Sequence, residues 1–169
     1  MMNAKAPLIL TLALDEAAHD LFTALRNKYF PKYCNYLSAH LTLFHHLPEN
    51  VALIDEVLQE QCRRNILTLE VTGIKNMGNG VAFTIASAEL QAMHKAMQQQ
   101  FEPYLISQDR KALWPHITIQ NKVTAYKAKQ TTDILLQEFK PFTIQGTGIT
   151  SWLYLNGPWA KKEEYKFKE

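Results

Sequence analysis

Several things are scarce in this sequence, and each scarcity excludes a class of protein. Only two cysteines are present, Cys34 and Cys62, with no CxxC spacing. That usage fits reduced thiols better than a disulfide framework or a zinc site. Long apolar runs are missing as well. The run from Leu8 to Leu14 is broken by Thr11, is too short to cross a bilayer and lacks the small-residue cleavage pattern of a signal peptide. A cytoplasmic protein with no membrane partner is therefore expected. Neither sign of charge dominates: 18 Lys and Arg against 16 Asp and Glu leave a formal net charge of +2. Such a chain has no polyelectrolyte footprint for gripping long duplexes, whereas a small anionic ligand remains compatible. Linkers and low-complexity segments are lacking too. Residues 1–169, 47% hydrophobic, read as one bilobal domain with enough apolar material for a core, and a monomer is expected.

What is present is a repeated motif. Ala39-His40-Leu41-Thr42-Leu43-Phe44 has a partner in Trp114-Pro115-His116-Ile117-Thr118-Ile119. Each contains a His-x-Thr-x tetrad whose x positions are Leu or Ile. On a strand, alternation puts His and Thr on one face and the apolar pair on the other. One His-x-Thr alone carries almost no information, but the surroundings repeat as well. Thr72-Gly73-Ile74 begins 32 residues after His40, and Thr147-Gly148-Ile149 begins 31 after His116. The chain thus reads as two copies of a strand, helix, strand, strand unit, each with one motif.

Leu8 to Leu14 has the continuous apolar character of a buried strand, and Asp15 is placed to cap the helix after it. Ala18, Leu21, Phe22, Leu25 and Tyr29 share one face of a helix over Asp15 to Phe30, stopped by Pro31. Pro31 to Ser38 is a loop into the first motif strand. Its Tyr33 or Tyr36 is placed to stack on a base, with packing of the loop onto the body as the alternative. His45 and His46 follow the first motif. On a regular strand His45 faces away from His40, and His46 lies about 20 Å further along at ~3.3 Å per residue, so neither shares a metal with His40. Both read as structural or rim residues, and no metal site or cofactor is expected.

Pro48 to Arg64 reads as a second helix, then strands Ile66 to Ile74 and Gly80 to Ile85 joined by a Gly- and Asn-containing hairpin turn. Ser87 is placed to cap a third helix with Leu90, Met93, His94, Met97 and Phe101 inward, and Pro103 ends it. Tyr104 to Leu113 is irregular, with Asp109, Arg110 and Lys111 clustered, and it delivers the chain into the second motif. Pro115 suits the start of a strand, where a missing N–H costs no ladder bond. Thr124 to Lys140 reads as a fourth helix, strands from Phe142 and Ile149 complete the second copy, and Glu164 to Phe167 is expected at an edge.

Two histidines can divide the work of general acid and general base near neutral pH. Cleaving a phosphodiester with water needs that division, and two hydroxyls two residues away can hold the non-bridging oxygens in line. Strand histidines are ordinarily packed or surface residues and threonine is simply a good strand former. Duplication at matching places favours function over that reading.

His40-Leu41-Thr42-Leu43 and His116-Ile117-Thr118-Ile119, with Pro115 before the second, resemble the two signature motifs of the 2H phosphoesterase superfamily, and within it the bacterial 2′-5′ RNA ligase-like branch. The resemblance extends over nearly the whole chain. It implies an α+β, bilobal, pseudo-twofold fold in which two antiparallel sheets face a central cleft, with helices outside. It also implies metal-independent hydrolysis of 2′,3′-cyclic phosphates on RNA ends or small nucleotides to 2′-phosphates, with slow reverse 2′-5′ ligation in some members. By analogy His40 and His116 are the catalytic pair, with His116 leaning to base and His40 to acid, and Thr42 and Thr118 hold the phosphate. Arg110, Lys111 and Lys122 are candidate anion contacts, and Trp114 either stacks on a base or packs the core. Two alternatives stay open: a module of the same fold that binds a nucleotide or RNA end without turnover, and a phosphodiesterase for another cyclic or 2′-5′ linked nucleotide. An interaction protein with coincidental motifs is a third.

Overall fold

The computed structural model describes residues 5–168. Its elements run in the order strand β1 (Leu8–Leu14), helix α1 (Glu16–Tyr29), β2 (Leu41–Leu47), α2 (Ala52–Gln61), β3 (Leu67–Asn76), β4 (Val81–Ala86), α3 (Ala88–Phe101), β5 (His116–Gln120), α4 (Ala125–Leu136), β6 (Phe142–Tyr154) and β7 (Trp159–Lys166). The helix starts follow local chemistry. The Asp15, Ser87 and Thr124 side chains accept from the N–H groups of Ala18, Leu90 and Lys127, relieving the orphan donors of the first turn. Asp15 does more, because its second carboxylate oxygen accepts the Gln145 N–H at 2.7 Å and so pins the start of α1 to β6.

The described strands join in one seven-stranded antiparallel sheet in the order β2-β1-β6-β3-β4-β5, with β7 also paired to β6. The two sheets expected are therefore continuous, and β6 is the reason. It is 13 residues long: Phe142 to Gly146 pair with β3, whereas Gly148 to Tyr154 pair with β7. One half is thus β2-β1-β6-β7 and the other β5-β4-β3-β6, each with a motif strand at its outer edge. The segments from Phe142 and Ile149, read as two strands, are one strand. The counterpart of the β3–β4 hairpin is β6–β7, and β7 starts at Trp159, earlier than the edge strand expected over Glu164 to Phe167.

Connectivity sharpens the repeat. Strand, helix, motif strand, helix, strand occurs twice, as β1-α1-β2-α2-β3 and as β4-α3-β5-α4-β6. The last strand of each copy crosses over: β3 pairs in the half that holds β4, and β6 pairs along the whole of β1. Helices exchange in the same way, since α1 packs on β5 and α3 packs on β2 through Phe101 against Phe44, with ring centroids 5.3 Å apart.

Leu10, Leu12, Phe22, Leu41, Phe44, Leu67, Leu69, Leu90, Phe101, Ile117 and Ile119 form the buried core. Burying each such side chain contributes ~1.5–3 kcal/mol. Leu21, expected inward, is 45% exposed, because the buried stripe of α1 runs through Ala18, Phe22 and Arg26. Among the described residues no helix is long and apolar enough to cross a membrane.

Candidate active site

The alternation expected of the two motifs is realised. Leu41, Leu43, Ile117 and Ile119 are buried at 0–1% exposure, while His40, Thr42, His116 and Thr118 are only partly buried and face the other side. β2 and β5 stand at opposite ends of the strand order yet approach each other, so the sheet curls and brings the two motif edges together.

The two imidazoles are held identically. His40 Nδ1–H donates to the carbonyl of Ser38 at 2.9 Å, and His116 Nδ1–H donates to that of Trp114 at 2.7 Å, each two residues upstream. Such a bond selects the tautomer and leaves Nε2 free for proton transfer. Each ring also has an aromatic neighbour: His40 lies 4.7 Å from the Trp159 ring, and Trp114 stacks on His116 at 4.0 Å.

Electrostatics separates them. Burial pushes the His40 imidazole down to about 4, against the opposing effect of the Ser38 carbonyl, and the charges of Arg26, His116 and His45 push the same way as burial. Burial also lowers His116, with the Trp114 carbonyl opposing and the charge of His45 adding to it. Arg26 is 5% exposed, its Nε donating to Asn35 Oδ1 at 2.8 Å and its Nη1 to the Thr118 carbonyl at 3.3 Å, with the guanidinium 4.0 Å above the Phe30 ring. One side chain of α1 thus ties the loop before β2 to the second motif.

Two cavities flank the pair. On the His40 side about 460 Å³ is lined by residues including Thr11, Tyr36, Thr150, Trp152, Trp159 and Lys161. Trp152 Nε1–H donates to Thr11 Oγ1 at 2.9 Å, fixing that wall. On the His116 side about 330 Å³ is lined by Thr42, His45, His94, Lys111 and Trp114, among others.

The family model for the 2′-5′ RNA ligase superfamily matches residues 14–158, a span that contains both motifs. The chain belongs to that superfamily. Solved structures similar to it include TT0787 of Thermus thermophilus, at 15% identity and TM-score 0.69, covering 96% of this chain and 98% of that one. Escherichia coli LigT complexed with 3′-AMP is similar at 15% identity and TM-score 0.59, covering 98% of this chain and all 100% of the other. A structure described as a phosphoesterase aligns at 16% identity and TM-score 0.58, over 98% and 100% of the two chains. No curated protein matches. At these identities the structural likeness establishes the fold, which the superfamily match independently supports.

Superfamily membership leaves the surrounding residues to be placed one by one. Tyr36 lines the His40-side cavity, whereas Tyr33 is 73% exposed and lines neither. Lys111 and Trp114 line the His116-side cavity. Arg110 instead pairs with Glu102 and borders neither cavity, and Lys122 sits exposed at the left-handed turn between β5 and α4. The expected placement of His45 is overturned. The β1–β2 register shifts between the Leu10–Phe44 and Thr11–Thr42 pairs, so Leu43 and Phe44 both turn inward and the parity of the strand flips. His45 consequently lines the same cavity as Thr42 and His116. Sequence reading also missed Trp152, Trp159 and Arg26; a buried arginine on an otherwise apolar helix face was the one available signal. His94 is packed as expected, 3% exposed and stacked on Phe44 at 4.6 Å.

Proposed function

We propose that this protein is a metal-independent phosphodiesterase that opens 2′,3′-cyclic phosphates on RNA ends or small nucleotides to 2′-phosphates. The observation that carries the reading is the matched pair of imidazoles, each with Nδ1–H bound to a carbonyl two residues upstream and each two residues before a motif threonine.

With the phosphate between the motifs, Thr42 and Thr118 hydroxyls donate to its non-bridging oxygens. His116 Nε2 takes a proton from water as the water oxygen bonds to phosphorus. The bond from phosphorus to the 3′ oxygen breaks, and that oxygen receives a proton from His40. The larger cavity, walled by Trp152 and Trp159, lies on the His40 side and suits the nucleoside, which puts the departing oxygen there. A His40 imidazolium with its pKa driven down is a strong acid, so the reactive form, with His40 charged and His116 neutral, is scarce above about 4. Run backwards, the same residues support 2′-5′ joining. Structures of Escherichia coli LigT with 3′-AMP, ATP, NADP+ and phosphate support a nucleotide-sized ligand in this fold.

The test is hydrolysis of a nucleoside 2′,3′-cyclic phosphate, and of a short RNA ending in one, in excess EDTA. Wild type is expected to turn both over to the 2′-phosphate. His40→Ala and His116→Ala should each lose about 10²-fold or more, and Thr42→Val and Thr118→Val less. Wild type that binds these compounds without cleaving them would overturn the reading.

A further inference from the structure

The His40-side cavity carries an ion pair that the proposed reaction does not use. β7 is irregular where it meets β6: Thr150 pairs with Glu164, whereas Trp152 pairs with Lys161, so β7 holds one residue more than β6 between the two pairs. On a regular strand, residues three apart face opposite ways. Here the bulge turns Lys161 and Glu164 to one face, where Lys161 Nζ donates to Glu164 Oε1 at 2.6 Å and both side chains line the cavity. The ammonium holds the Glu164 carboxyl below its ordinary range, so the acceptor stays ionised near neutral pH. Lys162 and Glu163 line a different cavity, and His19, also on this rim, lies 3.6 Å from Asp20.

Strand register fixes how far this pair stands from the phosphate site. Thr42, Thr11, Thr150 and Glu164 are successive cross-strand partners on β2, β1, β6 and β7, and such partners share a face of the sheet. At ~4.8 Å per strand, Glu164 lies roughly 14 Å from Thr42, backbone to backbone. One nucleoside phosphate laid along the row covers that distance once the Glu164 side chain reaches inward. Aromatic rings mark the same path. Trp159 is 4.7 Å from the His40 ring, Trp152 is 6.1 Å from Trp159, and Lys161 Nζ is 5.8 Å from the Trp152 ring. A nucleoside on the His40 side, where the departing 3′ oxygen puts it, thus brings the edge of its base to Lys161 and Glu164.

Side by side, an ammonium and a carboxylate offer a donor and two acceptor oxygens, and both keep capacity beyond their mutual bond. Guanine presents the complement on one edge: O6 accepts, while N1–H and N2–H donate together to a carboxylate. Adenine and cytosine turn a ring-nitrogen lone pair, and uracil a second carbonyl, toward one of the carboxylate oxygens instead. We propose that Lys161 and Glu164 read the base, which makes guanine nucleotides the preferred substrate class of the His40-side cavity. The inference rests on reading the two His-x-Thr motifs as the phosphate site.

Calorimetric binding of guanosine, inosine and adenosine 2′-phosphates tests it without recourse to turnover. Wild type is expected to bind the guanosine compound about tenfold tighter than the adenosine one, as a bidentate contact gives. Inosine lacks the N2 amino group and should fall between them. Glu164→Gln, which keeps the size and loses one acceptor, should bring the three affinities together, and Lys161→Met should narrow their spread. Both side chains are about half-exposed, so the fold tolerates either change. Equal binding of the three by wild type, or an equal loss for all three in Glu164→Gln, overturns the base site. Guanine preference in a protein that leaves cyclic phosphates uncut would sink the proposed reaction alone. Cleavage without that preference would sink the base site alone.

Discussion

His40 feels the charge of a buried guanidinium, and His116 lacks that neighbour among the groups that shift it. Both imidazoles are lowered, so the singly protonated pair exists mainly between about 4 and a value below the ordinary 6.5. The profile of kcat/KM against pH is therefore expected to be bell-shaped with its maximum below 6.5, falling toward alkaline pH as the shared proton is lost and toward acid as a second is added. An optimum well above 7 would contradict this. Arg26→Met removes a charge that holds His40 down, so the acidic limb should move to higher pH. An unmoved limb would mean that the guanidinium does not bear on the reaction. Arg26 itself was obscure in the sequence because its acceptor, the Thr118 carbonyl, lies 92 residues away.

Among the elements, β2 and β5 differ in how their geometry is imposed. β2 gains its cleft-facing third histidine from a register shift against β1, whereas β5 is held to β4 by a close approach at the end of the strand. A Cβ placed on Gly80 would lie 2.0 Å from the Gln120 carbonyl oxygen. Gly80→Ala must then push the end of β5 away from β4, two residues beyond Thr118. A loss of about 1–3 kcal/mol is expected from such overpacking, read as a lower urea midpoint, with kcat/KM falling in parallel. An unchanged midpoint would show that β5 yields without cost. Helices α1 and α3 were readable at this scale because caps and apolar spacing are local. The long β6 was not, since only its partners reveal that Phe142 to Tyr154 is continuous.

Across the whole molecule the crossed third strands make each half depend on the other, as β6 pairs with β1, β3 and β7. Protonation of buried groups is accordingly a matter for the fold as a unit. His40, His94 and His116 all have lowered values, with burial the leading cause in each. An unfolded chain takes up these protons near 6.5, whereas the folded chain resists until lower pH. Stability should therefore be fully present above about 7 and fall as pH drops from 6.5 toward 4. Urea midpoints at pH 7.5 and 5 check the sign, and equal or greater stability at pH 5 would refute it. His94→Gln should flatten the dependence, because it removes one of the three groups.

By itself the sequence determined what depends on neighbours along the chain. The two His-x-Thr strands with buried Leu and Ile, the Asp15 and Ser87 helix caps and the inward face of α3 follow from alternation, side-chain oxygens and the 3.6-residue period. Tertiary structure alone decided which histidines share the cleft, because a register shift turns Leu43 and Phe44 both inward and brings His45 round, before a second shift returns Leu47 to the core. It also decided that the halves exchange strands through β6 and that Trp152, Trp159 and Arg26 border the site. Those outcomes arise from pairings between residues far apart in the chain, and no local pattern encodes them.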